Sequence, residues 1–355
     1  MSSQSHDAAF YDDLAYQAIR DLIEREHAVV WHEVEAKLAE HPQRGAPRGI
    51  NPNHLTNGRR RLVAEGVIAE DTTETYGNQV VTVLVPGNQH RRRDVIRTAA
   101  RRKRGLQGRY LGWTQASERH PNLIGDGGER VVHESLKRTV AGYGLINPTR
   151  GEVTSLFDAD VPGGPLDNAA RIALPDGTTD LAVMVLVEVK NIRGWVYPAT
   201  AELFQLLSKA AALQTAHPQR SLLPVLVTRR AHYLTFVMAK HLGFFVIEFD
   251  HGVQPILPHW TVTPEQVREL RDELGYVLML TDEAMPGVTA RFDRTVPKVG
   301  AATARRWAQM APNLLPHFGL LRRESLSGPE RDTEMDQLYR DATSIAAPTV
   351  SWRRV

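Results

Sequence analysis

The chain contains 355 residues, of which 42% are hydrophobic and 24% are charged, and its formal net charge at pH 7 is +2. This composition is typical of a globular protein of roughly two or three domains, and it excludes collagen, a long coiled coil and extensive disorder. Because the chain has no cysteine, disulfides, thiolate nucleophiles and cysteine-ligated zinc or iron–sulfur centres are excluded as well.

The first 88 residues are predicted to contain helices followed by a β-hairpin. Apolar residues have helical spacing over 13–40, although an extended segment at 28–31 would divide this stretch into two helices. A loop rich in Pro, Gly and Asn covers 41–53, and the helix that follows ends near Gly66. Two strands between Asp71 and Val85 flank Tyr76-Gly77-Asn78, which is typical of a hairpin turn.

This order of elements resembles a winged helix-turn-helix domain over residues 1–88. The resemblance implies that the last helix enters the major groove of DNA while the hairpin contacts the DNA backbone. Asparagine and arginine side chains can bind base edges, and basic side chains can pair with phosphates. The candidate DNA-binding residues are Asn53, His54, Thr56, Asn57, Arg59, Arg60 and Arg61. A winged helix used for protein contact is the alternative.

Residues 89–120 are predicted to form a connecting segment with a basic helix. Between Gln89 and Arg109 the chain has nine Lys or Arg residues against one acid, Asp94. Such a block in a near-neutral chain indicates a surface for a polyanion, and a solvated helix face is the alternative. The block adds the candidate DNA-binding residues Arg91, Arg92, Arg93, Arg101, Arg102, Lys103 and Arg104.

Residues 121–255 are predicted to fold as an α/β domain in which helices cover a central mixed sheet. A loop over 121–128 precedes a helix that ends at Gly142 or Gly144. Further helices are predicted at 199–217 and 232–243, and strands at 153–161, 165–174, 181–191, 222–230 and 244–250. The continuous apolar runs are typical of strands buried on both faces.

Charged residues lie at the ends of two of these strands. Asp167 is near the start of the second predicted strand, and Glu188 and Lys190 are at the end of the third. Because alternate residues of a strand share a face, we expect Glu188 and Lys190 on one face and Val189 on the other. Buried charges need partners, and a divalent cation is the obvious partner for Asp167 and Glu188.

At these residues the chain resembles the PD-(D/E)XK nuclease superfamily, and the resemblance covers about residues 125–250. Glu129, Asp167, Glu188, Lys190 and Gln205 carry it. It implies a restriction-endonuclease-like fold in which Asp167 and Glu188 hold Mg²⁺ or Mn²⁺. Glu129 would complete the acidic cluster or hold a metal-bound water. Lys190 would orient or activate the attacking water, and Gln205 would support Lys190 or the cleft.

The separation of Asp167 and Glu188 is 21 residues, longer than in the compact form of the motif, so 175–179 is predicted to form an extended hairpin. Asp180 is rejected as the alternative ligand because it lies at the opposite end of the strand from Glu188. Structural alternatives exist for each residue. Glu129 could complement a helix dipole, Asp167 could be a turn residue, and Glu188 with Lys190 could be a same-face ion pair.

Residues 256–355 are predicted to be an accessory region of unassigned role. A helix capped by Thr263 begins the region, a second helix covers about 301–320, and the tail from Ser325 is polar. Two roles are left open for this region: dimerisation of two copies and clamping of DNA.

Together, the two resemblances imply a divalent-metal-dependent DNA endonuclease of the restriction or defence type, with DNA as its partner. The alternative is a non-catalytic DNA-binding protein whose nuclease-like core is architectural. No apolar run is long enough to cross a bilayer, and the first residues lack a signal-peptide core. We therefore expect a cytoplasmic protein without membrane contact, and a homodimer is left open.

Overall fold

The computed structural model describes residues 8–75, 79–87, 93–177 and 179–352. The chain forms two compact units, Met1–Asn122 with His259–Leu278 and Leu123–Pro258 with Met279–Val355. The sequence predicted to be one accessory region, 256–355, is thus divided between the two units. Within the four described ranges, no helix has the length and apolar character needed to cross a membrane.

Helices and strands are interspersed along the chain. The helices are α1 Ala8–Glu26, α2 Trp31–Val34, α3 Pro52–Ala64, α4 Arg93–Trp113, α5 Leu123–Lys137, α6 Ala201–Ala216, α7 Tyr233–Leu242, α8 Pro264–Leu274, α9 Pro286–Ala290, α10 Val296–Leu321 and α11 Gly328–Ile345. The strands are β1 Val29–Val30, β2 Ile68–Thr75, β3 Gln79–Pro86, β4 Gly144–Leu145, β5 Ser155–Leu156, β6 Ala159–Asp160, β7 Asn168–Asp176, β8 Thr179–Lys190, β9 Ser221–Thr228, β10 Phe245–Glu248, β11 Gln254–Ile256 and β12 Leu278–Leu280.

The first unit is built on the antiparallel sheet β1-β3-β2 and the helices around it. β2 and β3 form the predicted hairpin, whose turn at 76–78 lies outside the described residues. The helix predicted over 13–40 ends at Glu26, and β1 confirms the extended segment given as the alternative. Gly58 allows α1 and α3 to pack closely, because a Cβ there would lie 2.9 Å from the Tyr16 backbone nitrogen.

The second unit contains a mixed five-stranded sheet in the order β10-β9-β8-β7-β4. β8, β9 and β10 are parallel, whereas β7 and β4 run antiparallel to their neighbours. Val183 and Val185 of β8 join a core with α5, and Met184 and Leu186 join a core with α6 and α7 on the other face. Burial on both faces explains the apolar run in β8 and confirms the predicted mixed α/β class.

The start of α5 differs from the sequence prediction. Residues 123–128, predicted to be a loop because of their glycines, form the first turns of α5, which ends at Lys137. Gly127 is needed for packing, since a Cβ there would lie 2.6 Å from the Leu257 backbone nitrogen. A glycine-rich stretch thus reflects a close helix contact here.

One further prediction was wrong, and one helix had not been predicted. The strand predicted over 153–161 consists of the short strands β5 and β6 around Phe157 and Asp158, both with positive φ, and β4 forms the edge of the main sheet. The polar tail after Ser325 contains α11, which buries Leu338 and Ala342 in the core on the α6 side. Most of α11 is polar, so two buried apolar positions gave too weak a periodic signal.

Candidate active site

The β7–β8 hairpin brings the two predicted metal ligands together. The first residue of β7 faces Val187, so Asp167 and Glu188 occupy neighbouring positions where β7 begins and β8 ends. Asp167 Oδ2 accepts a hydrogen bond from the Val189 backbone nitrogen at 2.6 Å, which holds this carboxylate against β8. Asp180 lies near the other end of β8, far along the strand from Glu188.

Glu188 is almost completely buried, with 3% of its surface exposed. Lys190, two residues later on the same strand face, donates to Glu188 Oε1 at 3.0 Å. Lys209 on α6 donates to Oε2 at 3.1 Å and to Oε1 at 3.3 Å. A buried carboxylate is stable only when its charge is paired and hydrogen-bonded, and these two ammonium groups meet that requirement.

Sequence reasoning missed Lys209, although the chain contained a signal for it. Lys209 is one of only seven lysines and lies in an apolar stretch of α6. Lysine is almost never buried unless its charge is paired, so its position predicts an acidic neighbour. Gln205 lies one turn earlier on the same face of α6. Its side chain has no hydrogen bond to any other residue in the described ranges.

Glu129 lies on α5, which packs tightly against the residue that follows β8. A Cβ at Gly128 would lie 2.6 Å from the Cβ of Asn191, so only glycine permits this approach. Asn191 Nδ2 donates to the carbonyl oxygens of Ile124 and Pro255 at 2.6 and 2.7 Å. These contacts anchor the start of α5 beside the end of β8, and Glu129 follows directly.

The three carboxylates interact electrostatically. Burial and the charges of Glu188 and Glu129 raise the pKa of Asp167 to about 8. Burial and the charges of Asp126 and Glu188 raise the pKa of Glu129 to about 7. Burial alone would lower the pKa of Lys190, but the neighbouring carboxylates outweigh it and raise the pKa above its ordinary value. Fully ionised, this group would carry more negative than positive charge.

His133 and Asn168 join α5 to β7 beside the carboxylates. His133 Nδ1 lies 2.8 Å from Asn168 Oδ1, and its Nε2 lies 3.1 Å from the Pro148 carbonyl oxygen. His133 is one helical turn after Glu129, and Asn168 directly follows Asp167. This buried pair therefore keeps the two acid-bearing elements together, and no sequence motif had indicated either residue.

The donor set suits a hard divalent cation, although no group of three or more His, Asp or Glu side chains in the described part of the chain is arranged to hold a metal ion. Mg²⁺ retains several waters and is commonly bound by one or two carboxylates. Asp167 uses one oxygen for Val189, and Glu129 has no hydrogen-bond or ion-pair partner among the residues that the structure describes. A cation held by Asp167, Glu188 and Glu129 would offset their mutual repulsion.

The polar candidates on α3 are largely engaged within the first unit. His54 Nδ1 and Asn57 Nδ2 lie 2.7 and 3.2 Å from Asp12 Oδ1. The Thr56 hydroxyl donates to a backbone carbonyl one turn earlier, and Asn53 lies in the first turn of the helix. Asp12 therefore occupies one nitrogen of each of these two side chains, which reduces the groups that they could offer to DNA.

The three arginines of α3 differ in availability. Arg59 donates twice to Glu70 Oε1, at 2.9 and 2.7 Å, and Arg61 pairs with Glu65 at 3.0 Å. Arg60 is exposed and has no partner within the described ranges. Arg60 is therefore the cation of α3 most available to an external anion.

The basic residues before and within α4 also differ in their availability to an external anion. Arg91 and Arg92 lie outside the described residues. Arg93 and Arg101 are exposed and lack a partner among the residues with described positions. These two arginines extend the set of available cations in the first unit.

Other members of the block bind acids of the first unit. Arg102 pairs with Glu273 at 2.9 Å, and Arg104 pairs with Asp71. Lys103 is only 3% exposed, and its ammonium lies 2.7 Å from Glu33 Oε1. The expected surface role of Lys103 was therefore wrong, because this lysine neutralises a buried glutamate.

Comparisons of the chain with protein-family models, curated proteins and solved structures found no match. The geometry and charge of its own residues are therefore the basis for assigning a function.

Proposed function

We propose that this protein is a divalent-metal-dependent DNA endonuclease that hydrolyses phosphodiester bonds, with a PD-(D/E)XK-type core in the second unit. One observation carries the proposal: the β7–β8 register joins Asp167 to the Glu188–Lys190 pair at adjacent strand ends. A purely structural ion pair would need no second, half-buried acid beside it. Restriction or defence is the biological role that this proposal favours.

Each residue of the cluster has a chemical role in this proposal. Asp167, Glu188 and Glu129 would hold Mg²⁺ or Mn²⁺, which when bound polarises a phosphoryl oxygen and lowers the pKa of a water. Lys190 offers a compact ammonium that can orient the attacking water and offset charge developing on the phosphate. Lysine suits this position better than arginine, which is bulkier and does not give up its proton.

The first unit would bind the DNA as a winged-helix reader. The order of α1, β1, α2, α3 and the β2–β3 hairpin supports that assignment. Arg60, Arg93 and Arg101 support an anion-binding role because they are exposed cations without partners in the described ranges. The remaining charged residues of α3 would have to exchange an internal acid for DNA. A homodimer stays a prediction.

The direct test is incubation with supercoiled, linear, single-stranded and base-modified DNA in Mg²⁺ or Mn²⁺, with chelator as control. We expect metal-dependent cleavage and calorimetric binding of Mn²⁺ by the wild type. Asp167→Ala should abolish both, whereas Asp180→Ala at the far end of β8 should change neither. Cation binding by Asp167→Ala equal to that of the wild type would contradict the proposed site.

A non-catalytic DNA-binding protein is the second candidate. One observation favours it: both carboxylate oxygens of Glu188 are already bonded to ammonium groups, as in a structural ion cluster. A wild type that binds DNA but cleaves none of these substrates with either metal would support this candidate.

A further inference from the structure

Lys209 connects three segments of the second unit through one buried ammonium. It lies on α6, binds both carboxylate oxygens of Glu188 on β8, and donates to the Pro165 carbonyl oxygen. Pro165 is two residues before Asp167. One charge therefore joins two of the three chain segments that carry the proposed metal ligands, those of Asp167 and Glu188.

The surroundings of Lys209 prevent it from acting as a mobile surface cation. Its side chain is 8% exposed, against 17% for Lys190. α6 buries its apolar side chains in the core around it. Its ammonium is therefore held in place by helix packing, whereas Lys190 lies at a strand end.

We propose that Lys209 is a positioning residue that also sets the cation affinity of the site: it orients Glu188, neutralises the site when no cation is bound, and lowers the affinity for a divalent cation. This inference rests on the cation site of the proposed function. When Glu129, Asp167 and Glu188 are all ionised they outnumber the two lysines, so without Lys209 the negative surplus would be larger. The same fixed charge repels an incoming cation.

The size of the effect follows from Coulomb's law. A single charge and a divalent cation several ångströms apart, even with the screening of water, repel each other strongly enough to change affinity by about tenfold. A residue that only fills space would not produce this change. The cation affinity therefore separates an electrostatic role from a packing role.

The test is calorimetric titration of the full-length protein with Mn²⁺ alone. Lys209→Met and Lys209→Gln remove the charge, and each should lower the dissociation constant for Mn²⁺ by about tenfold. Lys209→Arg retains the charge and should bind Mn²⁺ like the wild type. Lys240→Met, at an exposed position of α7, is the matched control and should change nothing. Two neutral variants are used so that the Mn²⁺ affinity can still be measured if one of them does not fold.

A second readout is thermal melting with and without Mn²⁺. We expect Lys209→Met to melt at a lower temperature than the wild type in chelator, and saturating Mn²⁺ should remove most of that difference.

The inference would be overturned by a dissociation constant for Mn²⁺ that is unchanged or raised in both neutral variants. A wild type that binds no Mn²⁺ would overturn both the inference and the proposed cation site. A wild type that binds Mn²⁺ without cutting DNA, with tighter binding in the neutral variants, would support the inference and contradict the nuclease proposal.

Discussion

Each unit of the molecule contains one buried glutamate bound by two lysines, and the two clusters differ in the acids that surround them. Glu33 in the first unit is 0% exposed, and Glu188 in the second is 3% exposed. The lysines are Lys37 and Lys103 for Glu33, and Lys190 and Lys209 for Glu188. Four of the seven lysines of the chain are used in this way.

Charges around Glu33 are balanced. Glu26 lies 3.2 Å from Lys37 and 3.4 Å from Lys103, and Glu273 pairs with Arg102. Burial alone would raise the pKa of Glu26, but the two lysines outweigh it and lower the pKa. Every acid of this cluster has a cation, as expected of a cluster that only stabilises the fold.

Charges around Glu188 are not balanced. Asp167 and Glu129 have no ion-pair partner among the described residues, and the pKa values of both are raised. Two half-buried carboxylates without an opposite charge cost stability, and this supports the cation site proposed above. A buried Lys–Glu pair therefore does not by itself mark a functional site. The Glu188 cluster differs in its two acids without an ion-pair partner in the described ranges.

The largest expected effect lies at Lys190. Lys190→Ala should lower the rate of DNA cleavage by on the order of 10²–10³-fold, since it removes a charge that stabilises the transition state. Melting temperature and DNA affinity should change little, because Lys209 still pairs with Glu188. Single-turnover cleavage, melting and DNA binding should be measured side by side. Cleavage at the wild-type rate would mean that the active site lies elsewhere.

Lys103→Met is the matched change in the balanced cluster. It removes the more deeply buried of the two lysines on Glu33 and leaves only Lys37, which is 20% exposed. The free energy of unfolding should therefore fall by about 1–3 kcal/mol. The cleavage rate per folded molecule should stay that of the wild type. Urea denaturation and cleavage assays check both points. Slower DNA cleavage by fully folded Lys103→Met protein would show that the Glu33 cluster also has a functional role. The contrast between the two clusters would then be wrong.

The pH dependence of stability should distinguish the unbalanced cluster. Because folding raises the pKa of Asp167 to about 8 and of Glu129 to about 7, their stabilisation is complete below their unfolded pKa values. It is lost as the pH rises through about 7 and about 8. We expect the free energy of unfolding of the cation-free protein to fall by up to about 1.4 kcal/mol per pH unit for each carboxyl.

Denaturation of the protein in chelator between pH 5 and pH 9 measures this slope. Asp167→Asn should flatten it because the asparagine does not titrate, and saturating Mg²⁺ should do the same in the wild type. A wild-type slope equal to that of Asp167→Asn would show that folding does not raise the pKa of Asp167, which would contradict the expected difference between the two clusters.

The smallest effect is expected in the first unit. Arg60→Ala should weaken DNA binding and lower the slope of its salt dependence by about one, because one phosphate contact is lost. Arg59→Ala should have less effect, since Arg59 is already bonded to Glu70. Fluorescence anisotropy over a range of salt concentrations compares the two. If Arg60→Ala does not change the slope of the salt dependence, the DNA-binding surface is expected on α4 instead, around Arg93 and Arg101.

The sequence by itself determined the elements that depend on local patterns. The apolar run and its flanking turn predicted the β7–β8 hairpin, and the period of a strand placed Glu188 and Lys190 on one face. The helix capped by Thr263 also forms, because its capping hydrogen bonds connect residues only three apart. Such interactions connect residues that are close in sequence, so the local amino-acid pattern is enough to predict them.

Only the tertiary structure decided which charges are paired and which glycines pack. The apolar stretch around Lys209 indicates a paired charge, but nothing near Lys103 or Lys209 in sequence identifies the distant glutamate that each binds. Gly127 and Gly128 are compatible with a loop as well as with a helix, and only the neighbours of α5 distinguish the two. The physical reason is the same in both cases. Whether a charge is paired and whether a glycine packs closely depend on residues that are distant in sequence and become neighbours only on folding.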